Sequence, residues 1–264
     1  MSRSMFTIAW FAVFVLSSSL RADPPQHLTL GLDYIQNVTP ETNVYGDDAT
    51  ITENNGVIEA NTKCGSFTAL LYKHAYSYIN NSELQGLFGS SSPLAEQWYN
   101  GFVQQNFIFR KWGILQAKRI GAFSDVLPGD VLASAYEHSN SSGHVMTAWG
   151  AAPSGLTEID GIPGYEGPNA VREWYVLVID STQSPHNIWD SRMQDEDDDH
   201  NEGIGWGFLF IYTDPVDDHI VGWTWSLASS TPYQCTAPEQ TETYRPLVAG
   251  RIQSHYYVKQ FLAP

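Results

Sequence analysis

The sequence has few basic residues, and this shortage excludes whole classes of partner. Only 13 Lys and Arg stand against 29 Asp and Glu among 264 residues, which gives a formal net charge of −16. Nucleic-acid phosphates and anionic lipid surfaces are bound by clustered Lys and Arg, and the chain contains no basic stripe. We therefore expect neither a nucleic-acid partner nor electrostatic docking to a membrane surface.

The chain also lacks the short motifs that mark several classes of enzyme. It contains no H-E-x-x-H, no cysteine pair at zinc-binding spacing, no G-x-S-x-G, no P-loop and no G-x-G-x-x-G. An acidic stretch from Ser181 to Gly205 does not match the calcium-binding EF-hand loop, and we interpret it as a solvated surface loop, with a calcium site or a cation-attracting rim as the alternative. These absences disfavour zinc and serine hydrolases, and we predict no metal and no cofactor.

Only one long apolar run is present, and it lies at the start of the chain. Met5 to Leu16 is a run of apolar residues that follows Arg3 and precedes small residues ending at Ala22. Such a run is shorter than the ~18 residues that a membrane span needs and is typical of a secretory signal. We predict a signal peptide at 1–22 and a secreted or periplasmic protein without an integral span after its removal. An uncleaved membrane anchor is the alternative.

The remaining residues, 23–264, contain no linker and are predicted to form a single domain. The polar segment 23–61 is interpreted as an N-terminal arm of short strands and loops, and 62–264 as the core. Apolar spacing predicts a helix from Cys64 to Ile79, and Ser92-Pro93 predicts the start of a second that runs to about Trp112. Short apolar strands follow at 126–133, 143–150, 174–180, 207–212 and 220–227, and the tail 247–262 adds a strand and a short helix. Helices followed by antiparallel strands indicate an α+β fold with N-terminal helices packed on an antiparallel sheet.

The two cysteines, Cys64 and Cys235, allow two interpretations. In an exported protein they could form one disulfide, and the chain would then be a non-catalytic binding domain. Alternatively, Cys64 is a nucleophile, because a position in the first turn of a helix lowers the pKa of a thiol. Gly65, directly after it, would let a substrate approach closely.

A nucleophilic cysteine needs a base and a group that orients the base. His144 opens the apolar strand HVMTAWG, and Asp180 ends the apolar strand WYVLVID. A helix start, a strand start and a strand end can meet at one rim of a sheet, so we predict a Cys64–His144–Asp180 triad. His186 is the alternative third member. Asn61 is either a helix cap or a donor to an oxyanion.

Four segments in order, TKCGSFTALLY, LPGDVLA, GHVMTAWG and YVLVIDST, resemble the NlpC/P60-type papain-like cysteine peptidases. The resemblance covers about Thr62 to Thr182. It implies a papain-like fold in which Cys64, His144 and Asp180 are catalytic, and it implies a peptide of the cell wall as substrate. Related enzymes often place an active-site tyrosine upstream of the cysteine, where this chain has Tyr34.

The sequence also departs from the family pattern. Lys63 and Gly65 flank the cysteine where the family usually has Asp and Ser, and the third residue is Asp180 where the family often has His. The expected protein is an exported, monomeric, metal-independent cysteine peptidase or amidase that acts on a peptide or peptidoglycan-like substrate. A binding domain with a Cys64–Cys235 disulfide, and an acyl or amide transferase that uses the same thioester chemistry, are the alternatives.

Overall fold

A computed structural model describes residues 23–111, 113–136, 139–158, 162, 165–167, 170–194, 200–229, 232–235 and 243–256. The predicted signal peptide, Trp112, the end of the tail and part of the acidic stretch lie outside the described residues. Four α-helices are found among the described residues: α1 (Gln26–Asn37), α2 (Cys64–Ala75), α3 (Asn81–Phe88) and α4 (Ala95–Val103). The strands are β1 (Val38–Tyr45), β2 (Thr50–Asn54), β3 (Val57–Thr62), β4 (Phe107–Arg110), β5 (Gly113–Ile120), β6 (Val131–Ala135), β7 (Gly143–Glu158), β8 (Ala170–Thr182), β9 (Gly203–Thr213), β10 (Ile220–Trp223), β11 (Tyr233–Gln234) and β12 (Leu247–Tyr256).

The strands form two sheets. A nine-stranded sheet has the order β11-β10-β9-β8-β7-β6-β12-β5-β4, and its neighbouring strands pair antiparallel. A three-stranded sheet has the order β1-β3-β2, in which β1 runs parallel and β2 antiparallel to β3. The last strand of the small sheet leads directly into α2, so the small sheet sets where that helix begins.

The predicted papain-like α+β fold is wrong. The protein is mostly β, with 45% strand and 21% helix, and it is built on the nine-stranded antiparallel sheet and not on the papain-like arrangement of helices over a sheet. The apolar runs marked only the buried parts of longer strands. The second half of β7 is mostly exposed, and it continues as a strand because its backbone pairs with β8 as far as Glu158↔Ala170. Pairing of this kind needs no apolar side chains and leaves little pattern in the sequence.

The second predicted helix also ends earlier than expected. α4 ends at Val103, Gln105 takes a left-handed conformation with φ of 52°, and the chain turns into β4. The short alternating segment Phe107–Arg110 pairs with β5, and this pairing outweighs a continuation of the helix. The arm 23–61 likewise contains a helix, α1, where short strands and loops were expected.

The core consists of several apolar clusters on the sheet. One cluster joins α2 and α4 to β6 and β7 and includes Ala69, Trp98, Ala133 and Val145. A second joins β6, β7, β8 and β9 and includes Leu132, Met146, Val178 and Leu209. Since neighbouring residues of β6 and β7 belong to different clusters, both faces of this part of the sheet are covered. His144 lies at the start of β7, at the edge of this covered region.

Candidate active site

Cys64 is the first residue of α2 and lies at the N-terminus of that helix. Lys63 has an extended conformation, and its N–H donates to Ser66 Oγ at 2.9 Å, which fixes the point where the helix begins. The unpaired N–H groups of a helix start favour an anion, as the thiolate form of Cys64 would be. The side chain is nearly buried, with 6% of its surface exposed.

His144 follows a glycine that the backbone requires. Gly143 has φ of 127°, and a Cβ at this position would lie 1.9 Å from the carbonyl oxygen of Ser134 on β6. The glycine therefore lets β7 approach β6 closely at the point where His144 begins the buried part of the strand. His144 lies close enough to Cys64 for its charge to lower the pKa of the thiol.

Asp180 orients the imidazole ring of His144. His144 Nε2 donates to Asp180 Oδ2 at 2.6 Å, which leaves Nδ1 for another partner. Asp180 is fully buried near the end of β8, as the sequence predicted from the apolar strand before it. The structure thus brings together all three members of the predicted triad.

A hydrogen-bonded pair of side chains connects the segment before α2 with the end of β8. Ser181 Oγ donates to the carbonyl oxygen of Thr62 at 2.7 Å, and Thr62 Oγ1 donates to Ser181 Oγ at 3.1 Å. Thr62 is two residues before Cys64, and Ser181 directly follows Asp180. Because both side chains are buried, the pair fixes the start of α2 against the end of β8.

A second layer of buried charges surrounds Asp180. Its Oδ1 accepts from Arg192 Nη1 at 2.8 Å, and its Oδ2 also accepts from His186 Nε2 at 2.9 Å. Arg192 in turn donates from Nε and Nη2 to the two carboxylate oxygens of Asp190, at 2.8 and 2.7 Å. These side chains lie in the turn after β8, and each is nearly or fully buried.

The charges in this cluster shift the pKa values of the triad in opposite directions. Burial raises the pKa of Cys64, but the charge and hydrogen bond of His144, with a backbone hydrogen bond from Val145, outweigh burial and lower it below its ordinary value. Burial lowers the pKa of His144, but the Cys64 charge and the hydrogen bonds of Asp180 and Cys64 raise it above its ordinary value. Both shifts favour the thiolate–imidazolium form of the pair over its neutral form.

Asp180 keeps its negative charge despite its burial. Burial raises the pKa of this carboxyl, but the charges of Arg192 and His186 and the hydrogen bonds of the two histidines hold it well below its usual range. An ionised carboxylate accepts from every donor around it, which fixes the tautomer of His144.

Of the remaining predicted site residues, only His186 joins the cluster. Gly65 packs against the loop before α4, where a Cβ would lie 2.3 Å from the carbonyl oxygen of Pro93, so close packing requires this glycine. Asn61 donates from Nδ2 to Asp48 at 2.8 Å, so that donor is already occupied. Tyr34 hydrogen-bonds His74 at 2.8 Å, and His74 lies ten residues along α2 from Cys64, or ~15 Å.

Two residues near the site, Arg192 and Asp190, were missed by the sequence analysis. Arg192 and Asp190 lie in the acidic stretch that was interpreted as a solvated loop, although a lone Arg among acidic residues is a signal of an internal ion pair. Trp225 contacts both histidines, with ring centroids 4.7 Å from His144 and 4.4 Å from His186. Only the tertiary structure brings this tryptophan to the site.

Among the described residues, two groups of side chains have the composition of a metal site. His144, Asp180 and His186 form one, and Asp214, Asp217 and His219 form the other, at the surface. In the first group the nitrogen–oxygen distances of 2.6 and 2.9 Å are hydrogen bonds. Two ligands on one zinc ion, each about 2.0–2.1 Å from it, would lie further apart. The observed geometry fits a hydrogen-bonded triad.

The two cysteines are free thiols in the structure. The Cys64–Cys235 disulfide, on which the interpretation as a non-catalytic binding domain depended, is therefore not formed. Burial raises the pKa of the Cys235 thiol to about 12, opposite to the shift at Cys64. The two thiols thus differ in the property that controls their reactivity.

Comparisons with known proteins assign no activity to the chain. No protein-family model and no solved structure matches it. Over 204 residues it is 28% identical to an uncharacterized protein, R653, of Acanthamoeba polyphaga mimivirus, which covers 76% of this chain and 81% of that protein. These findings give no support to an assignment to the NlpC/P60 family. Among the residues that the structure describes, no helix is long and apolar enough to cross a membrane.

Proposed function

We propose that the protein is a cysteine hydrolase that cleaves an amide bond through Cys64, His144 and Asp180. The observation that carries this proposal is the position of Cys64 at the start of a helix, where the charge of His144 lowers the pKa of its thiol, while His144 Nε2 donates to Asp180 Oδ2 at 2.6 Å. A nucleophile, a base and an orienting carboxylate in contact are the arrangement that covalent acyl transfer requires. The proposal does not depend on the papain-like fold, which the protein does not have.

The first half of the reaction forms a thioester. The Cys64 thiolate attacks the carbonyl carbon of the amide, and the carbonyl oxygen becomes an oxyanion that free N–H groups at the start of α2 are suited to stabilise. His144 then gives its proton to the nitrogen of the leaving amine as the carbon–nitrogen bond breaks. Asp180 holds the imidazole in the tautomer that directs Nδ1 to the sulfur.

The second half restores the enzyme. His144, now neutral, takes a proton from a water molecule, whose oxygen attacks the thioester carbonyl. The carbon–sulfur bond breaks, the acid is released, and the thiolate and imidazolium are regenerated. Within this proposal the enzyme acts outside the cytoplasm, because the segment 1–22 has the features of a secretory signal. The choice of a cell-wall peptide as substrate is based on the motif resemblance alone.

The thiolate can be tested by alkylation with iodoacetamide from pH 4 to 9, followed by mass-spectrometric mapping. Cys64 should be labelled well below pH 8.5, where a free thiol has its pKa, and Cys235 serves as the internal control that should stay unlabelled. In His144→Ala the labelling of Cys64 at pH 6 should fall by about tenfold or more, because the thiolate loses its cation. Labelling of Cys64 with an ordinary thiol profile in both proteins would contradict the proposal.

Acyl transfer itself can be tested with p-nitrophenyl acetate. Attack by the thiolate releases p-nitrophenolate and leaves an acetyl thioester on Cys64, which then hydrolyses. We expect release of p-nitrophenolate and an acetylated Cys64 peptide in the wild type, and neither in Cys64→Ser. If only lysines are acetylated, and equally in the wild type and in Cys64→Ser, the proposed enzymatic function is wrong.

A further inference from the structure

The guanidinium of Arg245 lies against two tyrosine rings. Its guanidinium carbon lies 4.2 Å from the ring centroid of Tyr136 and 4.0 Å from that of Tyr233. Both distances are within the range of a cation–π contact. Ring contacts to the face of a planar guanidinium leave the N–H donors at its edge for other partners.

The position of Arg245 next to His144 follows from the strand register. Leu247 on β12 lies opposite Ser134 on β6, and Ser134 lies opposite His144 on β7. Because neighbouring strands are ~4.8 Å apart, Leu247 and His144 are separated by ~10 Å across the sheet. Arg245 precedes Leu247 by two residues, and the carbonyl oxygen of Pro246 between them accepts from Ala135 N at 3.3 Å.

The aromatic side chains provide a second connection. Tyr136, Tyr233 and Trp225 pack against one apolar cluster of the sheet, and Trp225 also contacts His144. Burial raises the pKa of Tyr136, and the negative charge of Cys64 raises it further, while Arg245 has the opposite effect. The hydroxyl of Tyr136 is thus close enough to both Cys64 and Arg245 for their charges to act on it.

Arg245 differs from the other arginines with a resolved partner. Arg110, Arg172, Arg192 and Arg251 each form an ion pair with a carboxylate. Within the described part of the chain, no carboxylate pairs with Arg245. In a protein with 29 acidic and 13 basic residues, a fixed arginine of this kind beside a nucleophile is suited to an external anion.

We propose that Arg245 binds a carboxylate of the substrate at the end of the sheet where His144 lies. A planar carboxylate matches the edge of a guanidinium and accepts two parallel hydrogen bonds from it. This inference rests on the proposed function, and it adds an acidic group to the substrate class. The net charge of −16 does not prevent such binding, because charges beyond ~8 Å are largely screened at physiological salt.

The test uses two electrophiles that differ only in charge, N-chloroacetyl-glutamate α-amide and N-chloroacetyl-glutamine α-amide. In each case the Cys64 thiolate displaces chloride and forms a thioether, which mass spectrometry detects. We expect the wild type to react with the glutamate probe about tenfold faster than with the glutamine probe. Arg245→Gln should remove this preference, Arg245→Lys should retain part of it, and Arg119→Gln, a matched loss of charge at an exposed site, should retain it fully.

The ratio of the two rates separates a role in binding from a role in stability. If Arg245 only supports the tyrosines, Arg245→Gln lowers the melting temperature and leaves the ratio unchanged, which overturns the inference. A ratio near one in the wild type, with iodoacetamide still labelling Cys64, overturns it while the proposed function stands. If iodoacetamide also fails to label Cys64, the proposed function fails, and this inference fails with it.

Discussion

His144 and His186 donate hydrogen bonds to the same oxygen atom, Oδ2 of Asp180, at 2.6 and 2.9 Å. Their second ring nitrogens have different partners. His144 faces Cys64, whereas His186 Nδ1 donates to the carbonyl oxygen of Trp225 at 2.7 Å. One histidine is therefore available to exchange a proton with the thiol, and the other is occupied on both sides.

This difference predicts which histidine controls the reactivity of Cys64. In His144→Gln, alkylation of Cys64 at pH 6 should fall by about tenfold or more, because the cation beside the thiolate is lost. In His186→Gln, the same rate should fall by less than about threefold, since the side chain does not contact the sulfur. The measurement is the rate of iodoacetamide labelling at Cys64 by mass spectrometry.

His186→Gln should instead reduce stability. It removes two buried hydrogen bonds, which are worth about 1–3 kcal/mol when a buried partner is left unsatisfied. Urea unfolding measures this loss, with His200→Gln, a change at an exposed histidine, as the control. If His186→Gln reduces the labelling of Cys64 as much as His144→Gln does, the assignment of His144 as the base is wrong.

Gly143→Ala should disturb the site through the backbone. The φ of 127° is unfavourable for any residue with a Cβ, and the added atom would lie 1.9 Å from the carbonyl oxygen of Ser134. We expect a loss of about 1–3 kcal/mol in unfolding free energy, together with slower labelling of Cys64, because His144 is the next residue. Gly121→Ala is the matched control, since nothing lies within 4 Å of its added Cβ. Equal stability of the two variants would contradict this account of the strand start.

Burial of His27 should make the stability of the fold sensitive to acid, independently of the triad. The histidine is buried against Tyr72 with Nε2 donating to the carbonyl oxygen of Gly129 at 2.7 Å, and burial lowers its pKa to about 4, partly offset by that hydrogen bond. The unfolded chain, with an ordinary pKa near 6.5, binds a proton first as the pH falls. Stability is therefore fully present above pH 6.5 and is lost between pH 6.5 and 4.

The size of the expected loss in unfolding free energy follows from the shift in the pKa of His27. A difference of about 2.5 pKa units corresponds to about 3 kcal/mol at most. Unfolding in urea at pH 7, 5.5 and 4.5 measures it, and His27→Gln should flatten the dependence on pH in this range. If His27→Gln and the wild type lose stability in parallel from pH 7 to 4.5, burial of His27 does not cause the loss.

The sequence by itself determined the three residues of the candidate triad. Cys64 was recognised because an apolar helix pattern begins at it, and His144 and Asp180 because they begin and end apolar strands. These are local signals, since residues close in the chain decide where a helix or a buried strand starts and ends. α2 begins at Cys64, β7 begins one residue before His144 and β8 ends two residues after Asp180, although the predicted papain-like fold around them is wrong.

Only the tertiary structure decided what surrounds the triad. Trp225 follows β10 and Arg245 precedes β12, so both are far along the chain from Cys64, and the pairing of these strands brings them towards the site. Arg192 and Asp190 face inward because Asp180 is a buried anion that requires a partner, and their sequence context gives the opposite impression of a solvated loop. Strand pairing and the neutralisation of buried charge depend on contacts between residues that are distant in the chain. A local sequence pattern does not predict such contacts.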